Sequence, residues 1–240
     1  MRRHTLLAMF VALLVVGAYG AYVFSYPKYP EVKGCVNPFA VTKPVSRIQE
    51  NWSEAHVFFK LATSRDFWKM ARPWDVDYSH VKVVKHTIEY NGEKVTMLAM
   101  GIPLKDGKHV IALYEFSKPV QGVKVRGYLI GINESRAKNL TIKTLAMTTN
   151  GRYLDTSNCP HECSSDSDCA VTYHCHQYCC NPNWGAAIQC CSWCAFACAP
   201  TNPAFPATCV ACVEIECPWC VDNNCLQWGG ECEGGWVPGP

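Results

Sequence analysis

The sequence predicts an α+β N-terminal domain, made of a helix pair and an antiparallel meander, followed by a small disulfide-rich module whose second half is a helical hairpin. Sixteen of the 17 cysteines fall between Cys159 and Cys232. Such a density is typical of small exported modules held by disulfides instead of a large core. Ahead of them, the apolar residues change from helical spacing to strand alternation. We place the domain at residues 45–150 and the module at residues 151–240.

Residues 1–24 have the composition of an export signal. Arg2 and Arg3 precede an apolar run over residues 5–24, and the small residues Gly20 and Ala21 mark a candidate processing site. Twenty apolar residues also suffice to span a bilayer, so an uncleaved membrane anchor is the alternative. We therefore expect a secreted or extracellular protein, anchored through residues 5–24 in the second case.

Residues 25–44 are rich in proline and lack a hydrophobic period, which predicts a linker. Cys35 lies in this linker, apart from all the other cysteines. Because those sixteen are already even in number, three fates of Cys35 stay open: a free thiol, a bond to the module and a bond to another chain.

The domain begins with helical spacing. From Ser46 on, Ile48, Trp52 and His56 recur every four residues, and Ser64 is a candidate N-cap of a second short helix. Turn signals such as Asn91-Gly92 then separate five alternating segments. Tight connections between sequential strands predict an antiparallel meander with the helix pair on one face. The segments are residues 81–90, 95–100, 110–116, 123–132 and 140–147.

No catalytic motif is visible in this domain. Its histidines are scattered, no nucleophile lies in a recognised turn, and no glycine-rich phosphate loop occurs. We expect no enzyme, no cofactor and no nucleic-acid partner, and interpret the domain as one that binds or holds another part.

The charges divide the chain in two. All 22 Lys and Arg residues lie in residues 1–152, whereas nine of the 20 acidic residues follow Arg152. Opposite net charges on two parts of one chain favour their association. The polar, turn-rich residues 150–158 between them are a candidate processing region, with Arg152 as the candidate site.

Asn133 and Asn139 begin Asn-X-Ser/Thr sequences. They are candidate glycosylation sites if the producing organism glycosylates exported proteins.

Spacing separates the module into two blocks. Residues 159–180 predict a loop-rich block held by cross-links. In residues 188–232, cysteine spacings of three and four predict two helices, 188–199 and 208–217, stapled face to face, with Pro218 ending the second. We expect disulfides at Cys159, Cys163, Cys169, Cys175, Cys179, Cys180, Cys190, Cys191, Cys194, Cys198, Cys209, Cys212, Cys217, Cys220, Cys225 and Cys232.

Metal binding and redox chemistry are the alternatives to disulfides for these cysteines. Three Cys-x2-Cys pairs have the spacing of zinc ligands, but the export signal and the even count favour disulfides, so no metal site is predicted. The sequence Cys217-Pro-Trp-Cys220 is similar to a dithiol redox motif, but no β-α-β pattern precedes it.

The sequence CVACVEIEC at residues 209–217, with its preceding cysteine pairs and apolar stretches, resembles the Cys-rich C-terminal peptide of halocin-like bacteriocin precursors, the archaeal microhalocin class. TSRDF at residues 63–67, followed by strands, resembles their N-terminal part. The resemblance implies an exported precursor whose C-terminal peptide is released as an antimicrobial toxin, while the N-terminal part is associated with immunity.

The resemblance also suggests partners for the module. They are its own N-terminal domain or a dedicated immunity function, and a surface protein or the membrane of competing cells. Two alternatives remain: a membrane-anchored extracellular binding or structural protein with a Cys-rich head, and a secreted protease inhibitor.

Overall fold

Ten strands build two sheets in the part of the chain that the structure describes. The computed structural model describes residues 35–134, 140–170 and 173–234, all within one compact unit. The strands are β1 (Cys35–Val36), β2 (Lys43–Glu50), β3 (Lys82–Tyr90), β4 (Glu93–Pro103), β5 (His109–Val120), β6 (Val123–Glu134), β7 (Leu140–Thr149), β8 (Arg152–Asp155), β9 (Tyr173–Pro182) and β10 (Cys225–Gly234).

The larger sheet contains β2 to β8 in chain order, with every neighbouring pair antiparallel. Tight turns make this order possible. Asn91 and Gly92 both have positive φ, 50° and 77°, as the two-residue turns that match strand twist require. The smaller sheet has the order β1-β9-β10, with β1 parallel and β10 antiparallel to β9.

Six short α-helices complete the described residues. They are α1 (Pro38–Val41), α2 (Glu54–Ala62), α3 (Arg65–Met70), α4 (Trp184–Cys190), α5 (Ala207–Glu216) and α6 (Pro218–Asn223), with 3-10 turns at Pro73–Asp75, Tyr78–His80, Asp166–Asp168 and Ser192–Cys194. Ser53 and Ser64 accept hydrogen bonds from backbone N–H groups in the first turns of α2 and α3, which satisfies donors that a helix start leaves free.

The larger sheet is covered on both faces. Leu61 and Phe67 from α2 and α3 pack on one face against Met100, Ile102 and Leu113. On the other face α5 lies across β3, β4 and β5, while β9 lies against β7. The result is a three-layer arrangement with the sheet in the middle.

The predicted helix from Ser46 is wrong in its first half. Residues 43–50 form β2, the edge strand that pairs with β3, and α2 begins only at Glu54. The four-residue spacing of Ile48 and Trp52 is a coincidence, because Ile48 lies in β2 and Trp52 lies in the connection between β2 and α2. The signal that marked the boundary was Ser53, a helix-capping residue type.

The predicted fold class is wrong as well. The described chain is mainly β, with a seven-stranded antiparallel sheet, a second small sheet and short helices. No helical hairpin occurs among the described residues. Residues 188–199 contain the end of α4, a 3-10 turn and irregular backbone, and Pro218 starts α6 at a position where proline fits a helix.

The block at residues 159–180 is not all loop. Tyr173–Pro182 forms the central strand of the small sheet, which carries Cys175, Cys179 and Cys180. The close spacing of these cysteines fits a strand as well as a loop, so the spacing alone did not predict the strand.

Candidate functional site at the interface of the sheet and the Cys-rich segment

Eight disulfides cross-link the Cys-rich segment, defined here as residues 159–232. Four hold the small sheet and its loops: Cys159–Cys180, Cys163–Cys175, Cys169–Cys232 and Cys179–Cys225. The other four are nested one inside the next: Cys190–Cys220, Cys191–Cys217, Cys194–Cys212 and Cys198–Cys209. Dense disulfides are typical of exported or extracellular proteins.

Helix α5 is buried on all sides. All ten of its residues are inaccessible or nearly so. Cys209 and Cys212 face their disulfide partners, one side of the helix meets the larger sheet, and α6 and the Ser192–Cys194 turn also pack against it. The contact with the sheet is close: a Cβ atom on Gly101 of β4 would lie 2.7 Å from the carbonyl oxygen of Ala211. Glycine at this position lets the helix backbone approach the strand.

Polar groups of the sheet meet the end of this helix. The Tyr114 hydroxyl donates to the carbonyl oxygen of Glu214 at 2.9 Å and to its carboxylate at 3.0 Å. His86 Nε2 donates to the Ile215 carbonyl at 2.6 Å. Burial lowers the pKa of His86, so the imidazole is neutral and acts as a donor through this nitrogen. The bonds to the Glu214 and Ile215 carbonyls satisfy backbone groups in the last turn of α5.

Arg47 contacts the Cys-rich segment twice. Its Nη1 lies 2.6 Å from the carboxylate of Glu216, and its guanidinium carbon lies 4.0 Å from the centre of the Trp193 ring. A guanidinium group can make both interactions because it is planar and carries several donors. An edge-strand residue of the larger sheet thus holds both arms of the nested disulfide region.

Two carboxyl groups are enclosed at the same interface. Glu214 from α5 and Asp222 from α6 both line a cavity of about 20 Å³, about the size of one water molecule. Burial raises the pKa of Glu214 to about 7, with Asp222 adding to the rise and the Tyr114 hydrogen bond opposing it. Burial likewise raises the pKa of Asp222 to about 7, against the Asn37 hydrogen bond and the charge of Arg126.

Arg126 is a fully buried cation between the two sheets. Its Nη2 donates to His176 Nδ1 at 3.0 Å and its Nη1 to the Gln177 carbonyl at 3.3 Å. Burial, followed by the charge of Arg126, lowers the pKa of His176 to about 3. Although His176 Nε2 lies 3.6 Å from Glu233, a neutral imidazole makes this contact a dipole interaction and not an ion pair.

The linker around Cys35 also contributes to the interface. Asn37 Nδ2 donates to Asp222 at 3.0 Å, and the Trp219 indole N–H donates to Thr42 at 3.2 Å. Cys35 itself lies in β1, paired in parallel with β9. The part of this linker that the structure describes is therefore packed against the Cys-rich segment.

The structure places the other predicted sites as follows. Arg152 begins β8 and lies 3.7 Å from Glu233, and Asn133 is exposed in β6. Gly20, Ala21 and Asn139, with the export or anchor segment 5–24, lie outside the described residues. No helix among the described residues is long and apolar enough to cross a membrane.

The residues that the sequence did not identify are the buried polar ones. The buried polar groups at this interface are Tyr114, Arg126, Glu214 and Asp222. A signal was present for some of them, since a tyrosine or a glutamate inside an otherwise apolar segment needs a polar partner when it is buried.

Comparison of the chain with protein-family models, with curated proteins and with solved structures finds no match.

Proposed function

We propose that this chain is the exported precursor of a disulfide-stapled antimicrobial peptide of the halocin-like type, and that residues 43–155 hold and mask that peptide until it is released. The observation that carries the proposal is the burial of α5 on every side. A mainly apolar helix without a solvent-facing side needs cover, and here the sheet of the N-terminal part covers one side of it.

Charge complementarity supports the masking role. Arg47 pairs with Glu216 at 2.6 Å, and Arg152 with Glu233 at 3.7 Å. In both pairs the cation comes from the basic part and the anion from the acidic segment. Such arrangements favour association of the right partners and weaken at high salt.

The same contacts indicate how the released peptide would act. Loss of the sheet would expose the face of α5 that contains Ala211. The segment has no Lys or Arg, so it gains nothing from anionic lipid headgroups. We therefore propose that it acts through this apolar surface on a receptor or membrane of competing cells.

The experiment starts with an engineered cut. Ser157 and Asn158 are exposed and lie between β8 and the first disulfide, so a site-specific protease sequence inserted there leaves every disulfide within the released piece. After cleavage, the protein should dissociate more readily as salt is raised. Cleaved material should inhibit growth of cells related to the producer, and uncleaved material should not.

The matched control carries a scrambled insert of equal length, which the protease does not cut. Masses in the culture medium supply the second measurement, because natural processing predicts a fragment that starts near residues 150–159. Equal activity of cut and uncut protein, or full-length chain found only in membranes, would contradict the precursor proposal.

A permanent extracellular binding module is the second candidate. It is favoured by the linker packed into the Cys-rich segment, where β1 joins the small sheet and Asn37 bonds Asp222. Trp193 and Phe196, 66% and 87% exposed, would then form part of the binding surface. An intact chain on the cell surface, with no released fragment, would select this candidate.

A further inference from the structure

Cys35 lies against a disulfide. All seventeen cysteines are among the described residues, and Cys35 is the one without a disulfide partner. Its Sγ lies 3.0 Å from Sγ of Cys175, which is bonded to Cys163. The three cysteines belong to one buried cluster, with Cys169 and Cys232 packed beside them.

A thiol at this distance from a disulfide sulfur is placed for exchange. Thiol–disulfide exchange proceeds by attack of a thiolate on one sulfur of a disulfide, and reacting atoms about 3–3.5 Å apart are close to the attack geometry. We propose that Cys35, Cys163 and Cys175 form an exchange site that ties the N-terminal linker covalently to the Cys-rich segment.

The step is balanced within the protein. The Cys35 thiol loses its proton to solvent, and its thiolate attacks Sγ of Cys175. The Cys35–Cys175 bond forms as the Cys163–Cys175 bond breaks, and Cys163 leaves as a thiolate that takes up a proton. One thiol and one disulfide are present before and after, so no external oxidant or reductant is required.

The backbone already fits the product. Cys35 and Cys175 are directly paired residues of the parallel strands β1 and β9. Paired strands lie about 4.8 Å apart, within the Cα separations of about 4.4–6.8 Å that disulfides span. The new bond therefore needs side-chain rotation and no shift of either strand.

The surroundings favour the thiol form of Cys35. Its Sγ–H donates to the Ser164 carbonyl at 3.0 Å. Burial raises the pKa of Cys35, and the charges of Asp166 and Asp168 raise it further. The thiolate is thus scarce at neutral pH, and below that pKa the exchange rate should rise about tenfold for each pH unit.

This inference goes beyond the proposed function and does not rest on it. If the chain is cut near residues 150–158, the Cys163–Cys175 form can separate into two pieces. The Cys35–Cys175 form keeps the pieces linked until it is reduced. The exchange site would then determine whether cleavage alone releases the segment.

Trypsin provides a direct test on the full-length protein. No Lys or Arg follows Arg152, so the whole Cys-rich segment is one tryptic peptide, residues 153–240, and Cys35 lies in residues 34–47 because Lys43 precedes Pro44. Protein incubated at pH 7, 8 or 9 is blocked with N-ethylmaleimide in mildly acidic guanidinium, digested without reduction and analysed by mass spectrometry.

Exchange predicts that residues 34–47 become disulfide-linked to residues 153–240, faster at higher pH, with the maleimide then found on Cys163. In Cys163→Ser the proposal predicts no free thiol and complete linkage. As a matched control, Cys198→Ser should show two free thiols, because its partner Cys209 does not belong to the cluster around Cys35. Absence of linkage in the wild type at pH 9, or two free thiols in Cys163→Ser, would overturn the proposal.

Discussion

Replacement of Glu214 by glutamine should remove part of the loss of folding stability that the protein shows as pH rises. Glu214 lies at the interface between the sheet and the Cys-rich segment. Burial raises the pKa of Glu214 to about 7 from an ordinary value of 4.5. A carboxylic acid whose pKa is higher in the folded state stabilises the fold less as pH rises through this window. At about 1.4 kcal/mol per pH unit, the loss between pH 4.5 and 7 is about 3 kcal/mol.

Glutamine keeps the shape of the protonated acid and still accepts from the Tyr114 hydroxyl. We expect Glu214→Gln to match the wild type within about 1 kcal/mol at pH 5 and to exceed it by about 3 kcal/mol at pH 8. The assay is urea unfolding with tryptophan fluorescence and intact disulfides. A Cys35→Ser background excludes any contribution from thiol exchange.

Glu93→Gln is the matched control. Glu93 is exposed and lies 2.7 Å from Lys118, so Glu93→Gln should leave both the stability and its pH dependence between pH 5 and pH 8 nearly unchanged. If Glu214→Gln loses as much stability between pH 5 and pH 8 as the wild type does, Glu214 is not the buried acid responsible, and this reasoning is refuted.

Three further substitutions, the first with a matched control, test the same interface by urea unfolding. Gly101→Ala should destabilise by about 1–3 kcal/mol, because the new methyl group meets the Ala211 carbonyl. The control is Gly185→Ala on α4, where a Cβ atom would lie at an ordinary contact distance of 3.6 Å from Asn183 Oδ1; it should stabilise by about 0.5–1 kcal/mol. Equal effects of the two substitutions would contradict the close packing. Arg126→Gln should destabilise the protein more at pH 8 than at pH 5, because the charge of Arg126 lowers the pKa of the buried Asp222. An unchanged unfolding midpoint at pH 8 would show that this charge is not needed. Tyr114→Phe should cost about 1–2 kcal/mol and shift the pH dependence of stability upward, because its hydrogen bond lowers the Glu214 pKa; a downward shift would reverse that assignment.

The strands of the larger sheet were largely predictable from the sequence. Period-two alternation and the Asn91-Gly92 turn act locally, so the strand positions between residues 82 and 149 agree closely with the structure. The cap of α3 was also a local signal, and the predicted Ser64 cap is confirmed.

What lies on the second face of the sheet was not predicted. A sheet covered on one face should alternate, yet β5 is buried on both faces from Val110 to Tyr114. Near-continuous apolar residues of this kind indicate two covered faces. The charges predict that the acidic module associates with the basic domain, but not which helix of the module covers this face, because that choice depends on contacts about 100 residues apart, such as Tyr114 with Glu214.

The prediction of a helical hairpin was wrong for a related reason. Cysteines three or four residues apart fit one face of a helix, but disulfides fix side chains in place whether or not the backbone between them is helical. Around Trp193 and Phe196 the pairs Cys194–Cys212 and Cys198–Cys209 hold an irregular segment. The cysteine spacing alone therefore could not distinguish a helix from an irregular segment.

The nested arrangement of four disulfides has a consequence for how the chain oxidises. Their partners are separated by 11, 18, 26 and 30 residues, from Cys198–Cys209 outward to Cys190–Cys220. Closing a loop costs more entropy as it lengthens, and each inner bond shortens the free path between the next two sulfurs. Loop entropy therefore favours oxidation in the order Cys198–Cys209, Cys194–Cys212, Cys191–Cys217 and Cys190–Cys220, because each bond brings the next two sulfurs closer together.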